Sequence, residues 1–515
     1  LYVAAERINN NDEHIKFKEY FEKNTINTIE NAVFNLTEIL RTTKVTVDTN
    51  KMLQRNFFED EVKQSKLRLL EKKIEDYSNI PKYASNQQEK KEIVIKLKKS
   101  KGEIEKLKDE LNLGKLIKGD SFIYQNIDIS DVQNTLKDEQ AILYYVNYPN
   151  NIYYGVITKD KSKFLYKYHK EEKISSLIKK IRKSINYDNG KISKFDFKSS
   201  SELYKELIEP FTNYVKDKKD IIIVPHGSLL SMPFEVLVNK IPEDNLLNNN
   251  NWLIKKHNIT YYPSISSFHA LKKLKKIKFK GYFAGFGDPK LSQNNKKNIS
   301  NIKKDVSKIF LRGGIADVNK IRQFAELPKT ASELKSISKY FNKNDIYLKE
   351  DFTEKSIKSS KLEKYSVLSF ATHGIVANEL SNINEPGLIT TPPAKGTIDD
   401  DGVLKSSEIK NLKLDAELVI LSACNTASGD GSSSAEGLSG LTSSFFYAGA
   451  RSLLVSHWYV EDESTVELME KTFDNLNNNL SLSESLRSSK ISMIQNNSTS
   501  HPIFWAPFIL VGGSK

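Results

Sequence analysis

The first 118 residues carry a pattern of apolar positions that is typical of α-helices. Apolar side chains recur at helical spacing along residues 62–74 and again along residues 93–111, with charged residues between them. Pro81 stands between the two runs, and a proline interrupts a helix because it lacks a backbone donor and its ring clashes with the preceding turn. The pattern therefore predicts an α-helical segment over residues 1–118 that contains a helical hairpin.

From residue 119 onward, short apolar runs replace the helical pattern. They are rich in Val, Ile, Leu and aromatic residues and are closed by turn-forming residues, as buried strands are. The strand-like runs occupy residues 140–158, 221–224, 281–289, 366–374, 416–425, 451–458 and 502–513. Helical patterns separate several of them, as at residues 171–185, 201–215, 326–341 and 437–450. This alternation predicts an α/β fold with a mainly parallel sheet flanked by helices.

A polar and basic stretch divides this α/β region in two. Residues 291–325 contain few apolar runs and are typical of a linker. We therefore predict one unit over residues 119–290, a linker over residues 291–325 and a second unit over residues 326–515, all preceded by the helical segment.

Composition narrows the functions that this chain can perform. One cysteine in 515 residues excludes an internal disulfide framework and a cysteine-rich zinc site, and we expect no metal and no cofactor. The net charge of +13 comes from lysines that are spread along the chain, which argues against a nucleic-acid partner. No apolar run reaches the roughly 18 residues of a membrane span and no signal peptide is visible, so we expect a cytoplasmic protein without membrane contact.

Two strand-like runs in the second unit end in residues with catalytic chemistry. "VLSFATHG" ends in His373 and Gly374, and "LVILSACN" delivers Cys424. Functional groups collect beyond the carboxyl ends of parallel strands, and an imidazole beside a thiol favours the thiolate and protonates a leaving amine. The histidine precedes the cysteine by 51 residues, which matches the order and spacing in caspases. We therefore predict a Cys-His dyad, with an oxyanion hole formed by the N–H groups of Gly374 and Cys424.

Other assignments of these residue types fit less well. A single cysteine is usually an inert buried side chain and a single histidine is usually structural, but here order, spacing and strand-end placement coincide. "IIIVPHG" repeats the strand–His–Gly pattern at His226 without a cysteine after it, so we predict that residues 119–290 form a degenerate half. We expect His457 and His501 to be structural or to line a pocket. "GLSGL" lacks the serine-hydrolase pattern, and "SGDGSSSAEG" lacks the lysine of a P-loop.

The motifs of both units resemble those of the CHAT domain, a caspase-like cysteine peptidase fold in the clan of caspases and separase. The resemblance covers residues 120–515 and rests on "IIIVPHGSLLSMPFEVLV", "FATHG", "DDGVLKSSEI", "LVILSACNTASG", "AEGLSGLTSSFFYAGARSLLVSHW" and "HPIFWAPFILVGG". It implies a degenerate N-terminal half and a catalytic C-terminal half, with His373 as general acid and base and Cys424 as nucleophile. It also implies a protein substrate, and helical repeats (often tetratricopeptide repeats) through which a protein partner activates a latent protease. A role in prokaryotic defence or regulated cell death is the corresponding expectation.

Acidic residues near these motifs are candidates for a pocket that selects a Lys or Arg side chain of the substrate. We expect a basic or neutral residue before the scissile bond, and not the aspartate that caspases prefer. They are Asp399, Asp400, Asp401, Glu436 and Asp462. Asp-Asp-Asp-Gly also fits a turn, and Glu436 also fits a charge near a helix N-terminus, so both roles stay open. The alternative to an endopeptidase is a silent CHAT-like scaffold that binds proteins within a larger complex. The presence of both His373 and Cys424 favours the enzyme.

Overall fold

The computed structural model describes most of residues 127–513 and a few residues before them. The described stretches are 127–148, 151–168, 173–188, 191–273, 281–292, 316–375, 385–397, 399–423, 440–458 and 462–513, with residue 380 and single helical residues within 31–38 and 95–106. Most of the predicted helical segment 1–118 and most of the predicted linker lie outside the described residues. Cys424 and Glu436 also lie outside them.

Strands lie in every predicted apolar run and also in stretches that the pattern did not predict, such as residues 162–168, 258–261 and 343–349. In chain order they are β1 (Gln140–Tyr148), β2 (Asn151–Thr158), β3 (Ser162–Tyr168), β4 (Tyr187–Asp188), β5 (Lys191–Ile192), β6 (Asp220–Val224), β7 (Asn258–Tyr261), β8 (Tyr282–Pro289), β9 (Lys343–Lys349), β10 (Val367–Ala371), β11 (Gly374–Ile375), β12 (Gly387–Ile389), β13 (Val403–Lys405), β14 (Leu418–Ser422), β15 (Ser452–Ser456) and β16 (Phe508–Gly512). Each predicted run therefore contains at least one strand.

Helices occupy most of the intervals between the strands. In chain order the α-helices are α1 (Ile129–Thr135), α2 (Lys173–Ser184), α3 (Phe197–Leu207), α4 (Thr212–Val215), α5 (Ile265–Lys273), α6 (Val318–Ile321), α7 (Lys329–Ser338), α8 (Glu354–Ser359), α9 (Ser406–Ile409), α10 (Gly440–Ala448), α11 (Asp462–Asn477), α12 (Leu482–Gln495) and α13 (Pro502–Trp505). α7 packs on β8 and on α11, and α11 packs on α12. No helix in the described part of the chain is long and apolar enough to cross a membrane.

Within the described residues, eleven strands form one sheet in the order β3-β2-β1-β6-β7-β16-β15-β14-β10-β8-β9. β1, β6, β7 and β16 are parallel to one another and form the first strand group. β15, β14, β10, β8 and β9 are parallel to one another and form the second strand group. β15 runs antiparallel to β16 where the groups meet, so their carboxyl ends lie at opposite edges of the sheet. The predicted mainly parallel sheet with flanking helices is confirmed.

This sheet combines strands from both predicted units. β8 comes from the predicted first unit and lies between β9 and β10 of the second. β16 comes from the predicted second unit and pairs with β7 of the first. The two units share one sheet, and the boundaries between them stay a prediction.

The central strands are buried on both faces. Every residue of β10 and of β15 is buried, as expected for continuous apolar runs covered by helices on both sides. Further along the sheet, neighbouring residues of β1 contribute to two different cores, Leu143 to the larger one and Tyr144 to the smaller one. The sheet therefore separates two apolar layers, because successive side chains of a strand point to opposite faces.

A helical turn from the N-terminal segment covers part of the smaller core. Phe34 is fully buried, and its ring centroid lies 5.7 Å from that of Tyr144. The Tyr144 hydroxyl donates a hydrogen bond to the Thr37 hydroxyl at 2.8 Å, and the Asn31 side-chain oxygen accepts one from the Ile129 N–H at 3.0 Å. This turn is therefore anchored to the sheet by both apolar packing and hydrogen bonds.

A small antiparallel sheet follows directly after β10. Its strand order is β11-β12-β13, and Gly374 of β11 pairs with Leu388 of β12. Ile321 of α6 contributes to a third apolar core with Ile389 and Val403 of this sheet. Strands of two or three residues leave no periodicity, so the sequence pattern does not predict them.

The predicted strand over residues 502–513 is wrong in its first part. Pro502–Trp505 form α13, and β16 begins only at Phe508. The His501 Nδ1 accepts a hydrogen bond from the Ile503 N–H at 3.1 Å and so caps the helix. Proline is favourable at the first helical position because its missing N–H would have no partner there.

Candidate active site

β10 and β14 are adjacent and parallel, as expected for the strands that precede His373 and Cys424. Ala371 pairs with Ser422 at the carboxyl ends of these strands. His373 follows Ala371 by two residues, and Cys424 follows Ser422 by two residues. We call this side of the sheet, where the second strand group has its carboxyl ends, the β10–β14 edge. Cys424 itself is outside the described residues, so the described geometry reaches the residue before it.

Two consecutive residues, Phe324 and Ala325, contact the His373 ring. Its Nε2 lies 2.7 Å from the carbonyl oxygen of Ala325, and its ring centroid lies 5.2 Å from that of Phe324. A carbonyl oxygen only accepts hydrogen bonds, so Nε2 must carry the proton of this contact. In the neutral imidazole Nδ1 is then the basic nitrogen. The histidine is therefore oriented with Nδ1 available for proton transfer.

The small sheet fixes the backbone on the other side of His373. The His373 carbonyl accepts a hydrogen bond from the Ile389 N–H at 2.9 Å, and the Thr372 hydroxyl donates to the Ile389 carbonyl at 2.7 Å. Gly374 comes next and is half-buried as the first residue of β11. The position of this glycine is thus set by strand pairing, while its role in an oxyanion hole stays a prediction.

The end of β14 has a buried acidic neighbour that sequence reasoning missed. Glu333 of α7 is 3% exposed, and its Oε2 accepts a hydrogen bond from the Ser422 hydroxyl at 3.1 Å. The Ser422 carbonyl accepts the Thr372 N–H at 3.3 Å, so the same residue also ties the two strands together. Helical periodicity places Glu333 on α7 but does not show that it faces the sheet, since most glutamates of a helix face solvent.

On the other side of β14, the last residue of β15 contacts the residue before Cys424. The Ser456 hydroxyl donates a hydrogen bond to the Ala423 carbonyl at 2.6 Å. His457 follows and is buried, and burial holds its pKa well below the usual histidine range, with the Arg182 charge acting in the same direction. Trp458 then packs with its indole N–H donating to the Ile503 carbonyl at 3.1 Å.

Asp401 has a buried position and charged partners of its own. Its carboxylate forms an ion pair with Lys405 at 2.6 Å and accepts the Ala316 N–H at 2.8 Å and the Val403 N–H at 3.1 Å. Asp401 is fully buried. These contacts favour a structural role, in which Asp401 fixes the start of β13 and anchors the chain that leads to α6.

The neighbouring acids lie in a loop that is held to α8. Asp399 is exposed and its main-chain carbonyl accepts from the Lys358 ammonium at 2.7 Å, whereas Asp400 is half-buried, and burial raises its pKa. Glu354 of α8 accepts the N–H groups of Asp401 and Gly402, each at 2.7 Å. Burial, together with the nearby Glu408 charge, raises the pKa of Glu354 to about 7. The loop leads into β13, two strand spacings or about 10 Å from β11, which follows His373.

The remaining predicted acids are less defined. Asp462 is the first residue of α11, and its side chain is outside the described residues, as is all of Glu436. Within the described part of the chain, no three His, Cys, Asp or Glu side chains form a cluster that would bind a metal ion.

His226 lies at the edge of the sheet opposite to His373. It follows β6 of the first strand group, whose carboxyl ends point away from the β10–β14 edge. The His226 Nδ1 lies 3.0 Å from the Asn147 carbonyl, and Gly227 follows with a φ of +60°. A side chain at Gly227 would place its Cβ 2.9 Å from that same carbonyl oxygen. The His-Gly pair therefore forms a tight turn against β1.

The sheet, its flanking helices and the placement of His373 define a caspase-like α/β fold. The family model of the CHAT domain matches residues 198–513, and the chain belongs to this family. Both results agree with the resemblance in the sequence motifs.

Each of the individual similar proteins aligns with only part of this chain, and the aligned region is only part of its own length. Mouse tetratricopeptide repeat protein 28 is 33% identical over 110 residues, which is 21% of this chain and 4% of that protein. The Porphyromonas gingivalis RgpB pro- and mature domain complex is 10% identical, with 61% of this chain and 68% of that chain covered and a TM-score of 0.37. The Saccharomyces cerevisiae separase–securin complex is 13% identical, with 87% and 27% covered and a TM-score of 0.34. The chain thus spans a small fraction of the curated relative.

Proposed function

We propose that this protein is a cysteine endopeptidase that cleaves a protein substrate through Cys424 and His373. The observation that carries the proposal is the parallel pairing of β10 and β14, in which Ala371 lies opposite Ser422. Each candidate residue follows its strand by the same two positions, which favours a close approach of imidazole and thiol at the β10–β14 edge. CHAT family membership supports the same assignment.

The proposed reaction uses the orientation of the histidine. With Nε2 donating to the Ala325 carbonyl, Nδ1 accepts the Cys424 thiol proton, and the thiolate attacks the scissile carbonyl. The N–H groups of Gly374 and Cys424 stabilise the oxyanion, and the protonated His373 gives its proton to the leaving amine. Water, deprotonated by His373, then hydrolyses the thioester and restores the thiol.

We further propose that the substrate presents a Lys or Arg side chain beside the scissile bond. Asp399 and Asp400 are the described candidates for this contact, because Asp401 is already paired with Lys405. Their loop lies about two strand spacings from β11, a distance that a long basic side chain can span. Glu436 and Asp462 belong to the same proposal on their sequence positions alone.

The dyad is tested by single substitutions. We expect Cys424→Ala to abolish proteolysis and His373→Ala to slow it by about 10²–10⁴-fold, because each removes one half of the dyad. The matched control is His226→Ala, which removes a His-Gly histidine at the opposite edge and should leave activity intact. Proteome-wide labelling of new protein N-termini would compare the variants and identify the cleavage site. Cleavage that persists in Cys424→Ala, with the same sites, contradicts the mechanism.

Thiol reactivity separates the protease from the scaffold alternative. A proton-accepting His373 should make Cys424 react with iodoacetamide near neutral pH, and His373→Ala should shift this reaction to higher pH. A scaffold would show an ordinary thiol whose reactivity does not change with His373. Latency predicts slow labelling of the purified chain and faster labelling when its activating protein partner is added, as in a defence or cell-death role. Equal labelling in both states argues against such activation.

A further inference from the structure

Helix α7 lies close against β8, on one face of the sheet. Leu334 of the helix packs against Gly285 and Gly287 of β8, where an added Cβ would lie only 3.0 Å and 2.8 Å from the leucine side chain. Glycine at these two positions therefore allows the helix to approach the strand closely. The Thr330 hydroxyl near the start of α7 also accepts a hydrogen bond from the Asp288 N–H at 2.9 Å. The helix is thus held firmly in place, and the side chains on its inner face have a rigid support.

Glu333 is the acidic side chain on this inner face of α7. It is 3% exposed, and its Oε2 accepts a hydrogen bond from the Ser422 hydroxyl at 3.1 Å. Burial of a carboxylate costs free energy that hydrogen bonds offset only in part, and an apolar side chain would pack there without that cost. Packing alone therefore does not explain a glutamate at this position.

Ser422 connects this carboxylate to both residues of the proposed dyad. It precedes Cys424 by two residues at the end of β14, and its carbonyl accepts a hydrogen bond from the Thr372 N–H at 3.3 Å. Thr372 in turn directly precedes His373. A shift of the Ser422 backbone would therefore displace both the chain that leads to the cysteine and the chain that leads to the histidine.

We infer that Glu333 is a positioning residue for the proposed dyad and that it acts through Ser422. Because it fixes the Ser422 side chain, it keeps the ends of β10 and β14 together, so that the Cys424 thiol stays within reach of the His373 imidazole. A displacement of about 1 Å at a reacting group can slow a reaction about 10²-fold. This inference rests on the proposed endopeptidase function and assigns a further residue to its site.

The pH profile of Cys424 alkylation by iodoacetamide tests this role without a known substrate. At high pH the thiol is ionised in every variant, so the rate there reports access to the thiol. The midpoint of the profile reports how strongly His373 stabilises the thiolate. We expect Glu333→Ala and Ser422→Ala each to raise this midpoint by about one pH unit, which slows labelling at neutral pH about 10-fold.

The variant Glu333→Gln separates positioning from charge. Glutamine keeps a side-chain oxygen that can accept the Ser422 hydroxyl, so positioning predicts a midpoint close to that of the wild type. The double variant Glu333→Ala with Ser422→Ala should shift the midpoint no further than either single change, because both remove the same contact. The matched control is Ser332→Ala, an exposed neighbour on α7, which should leave the profile unchanged. Thermal unfolding of each variant checks that the fold is kept.

Two results of this experiment overturn the inference. The first is a midpoint that does not move in Glu333→Ala. The second is a midpoint that moves equally in Glu333→Ala and Glu333→Gln, since the carboxylate would then act through its charge and not through the contact with Ser422. The proposed function fails separately, if His373→Ala leaves the wild-type profile in place.

Hydrogen exchange provides a second measurement that does not depend on thiol chemistry. The Thr372 N–H donates to the Ser422 carbonyl, so its exchange rate reports how firmly the two strand ends are joined. We expect Glu333→Ala to accelerate exchange at Thr372 about 10-fold, whereas Glu333→Gln and Ser332→Ala should keep the wild-type rate. Exchange within β8 should stay the same in every variant. An unchanged rate at Thr372 in Glu333→Ala overturns the inference, even if Cys424 proves unreactive and the proposed function fails.

Discussion

One buried ion pair joins two parts of the chain that are far apart in sequence. Lys490 of α12 and Glu235 are 0% and 1% exposed and form an ion pair at 3.0 Å. The Tyr261 hydroxyl of β7 donates a second hydrogen bond to the Glu235 carboxylate. The pair joins α12 to the segment after β6. Removing either partner would leave the other charge buried and unpaired.

We therefore expect Lys490→Met to destabilise the fold by about 3–5 kcal/mol, because the Glu235 carboxylate would lose its cation without gaining water. The midpoint of urea-induced unfolding measures this loss. The double variant Lys490→Met with Glu235→Leu removes both charges and should recover much of the stability. A single variant that unfolds at the wild-type urea concentration would show that the pair does not matter.

Some site residues carry a signal in the sequence and others do not. His373 and Cys424 stand out as candidates in the sequence because their side-chain chemistry is rare and each follows an apolar run. The Ala325 carbonyl that orients His373 could not be predicted, since every residue has a carbonyl and only the fold brings this one to the ring. The contact of Glu333 with Ser422 could not be predicted either, because the two residues lie 89 positions apart and nothing in the sequence of α7 marks this glutamate.

At the scale of elements, the positions of the long apolar strands can be predicted from the sequence, but the directions in which the strands run cannot. Continuous burial makes β6, β10, β14 and β15 recognisable, but the reversal between the two strand groups depends on the pairing of β15 with β16. The small sheet β11-β12-β13 has strands too short for any pattern, yet it sets the backbone next to His373. Local periodicity thus predicts elements, and pairing between distant segments decides how they are arranged.

The turn between α10 and β15 is an element whose geometry only glycine permits. Gly449 has a φ of +122°, and a Cβ there would lie 2.2 Å from the Leu414 carbonyl oxygen. We expect Gly449→Ala to destabilise the protein by more than about 3 kcal/mol, because strain and a backbone clash add. Gly281→Ala is the matched control, with a φ of +72° and nothing within 4 Å, and should lower stability by only about 1 kcal/mol. Equal losses in thermal unfolding experiments would contradict this explanation.

At the scale of the whole molecule, the two strand groups give the sheet two unlike edges. The first group ends near His226, in a turn against Asn147, and the second ends at the residues that lead to Cys424. The two His-Gly motifs therefore lie at opposite strand ends of the sheet, and four strands lie between β6 and β10. Sequence similarity between the motifs could not reveal this separation, because strand direction is not a local property.

The whole molecule should also lose stability in mild acid, because it buries neutral histidines. Burial lowers the pKa of His501 from 6.5 to about 4, and burial also lowers the pKa of His257 and of His457. Below pH 6.5 these histidines become protonated in the unfolded chain but stay neutral in the folded state. Protonation therefore favours unfolding, and the stability that is present above pH 6.5 is lost as the pH falls toward 4. For His501 this loss is up to about 3 kcal/mol.

Urea unfolding at pH 7 and at pH 5 measures this dependence. His501→Asn is the informative variant, since asparagine can still cap α13 but does not titrate, and it should flatten the decline between the two pH values. A decline that stays as steep in His501→Asn would assign the effect to other groups.

The pairing of β15 with β16 also affects how the protein folds while it is being translated. Val511 of β16 pairs with Tyr261 of β7, which the ribosome produces 250 residues earlier. A nascent chain that has already passed Cys424 still has two separate groups of strands, with unpaired edges on β7 and β15. Both candidate catalytic residues are thus synthesised before the sheet that supports them is whole. A chain released early would present open strand edges to chaperones instead of a complete sheet.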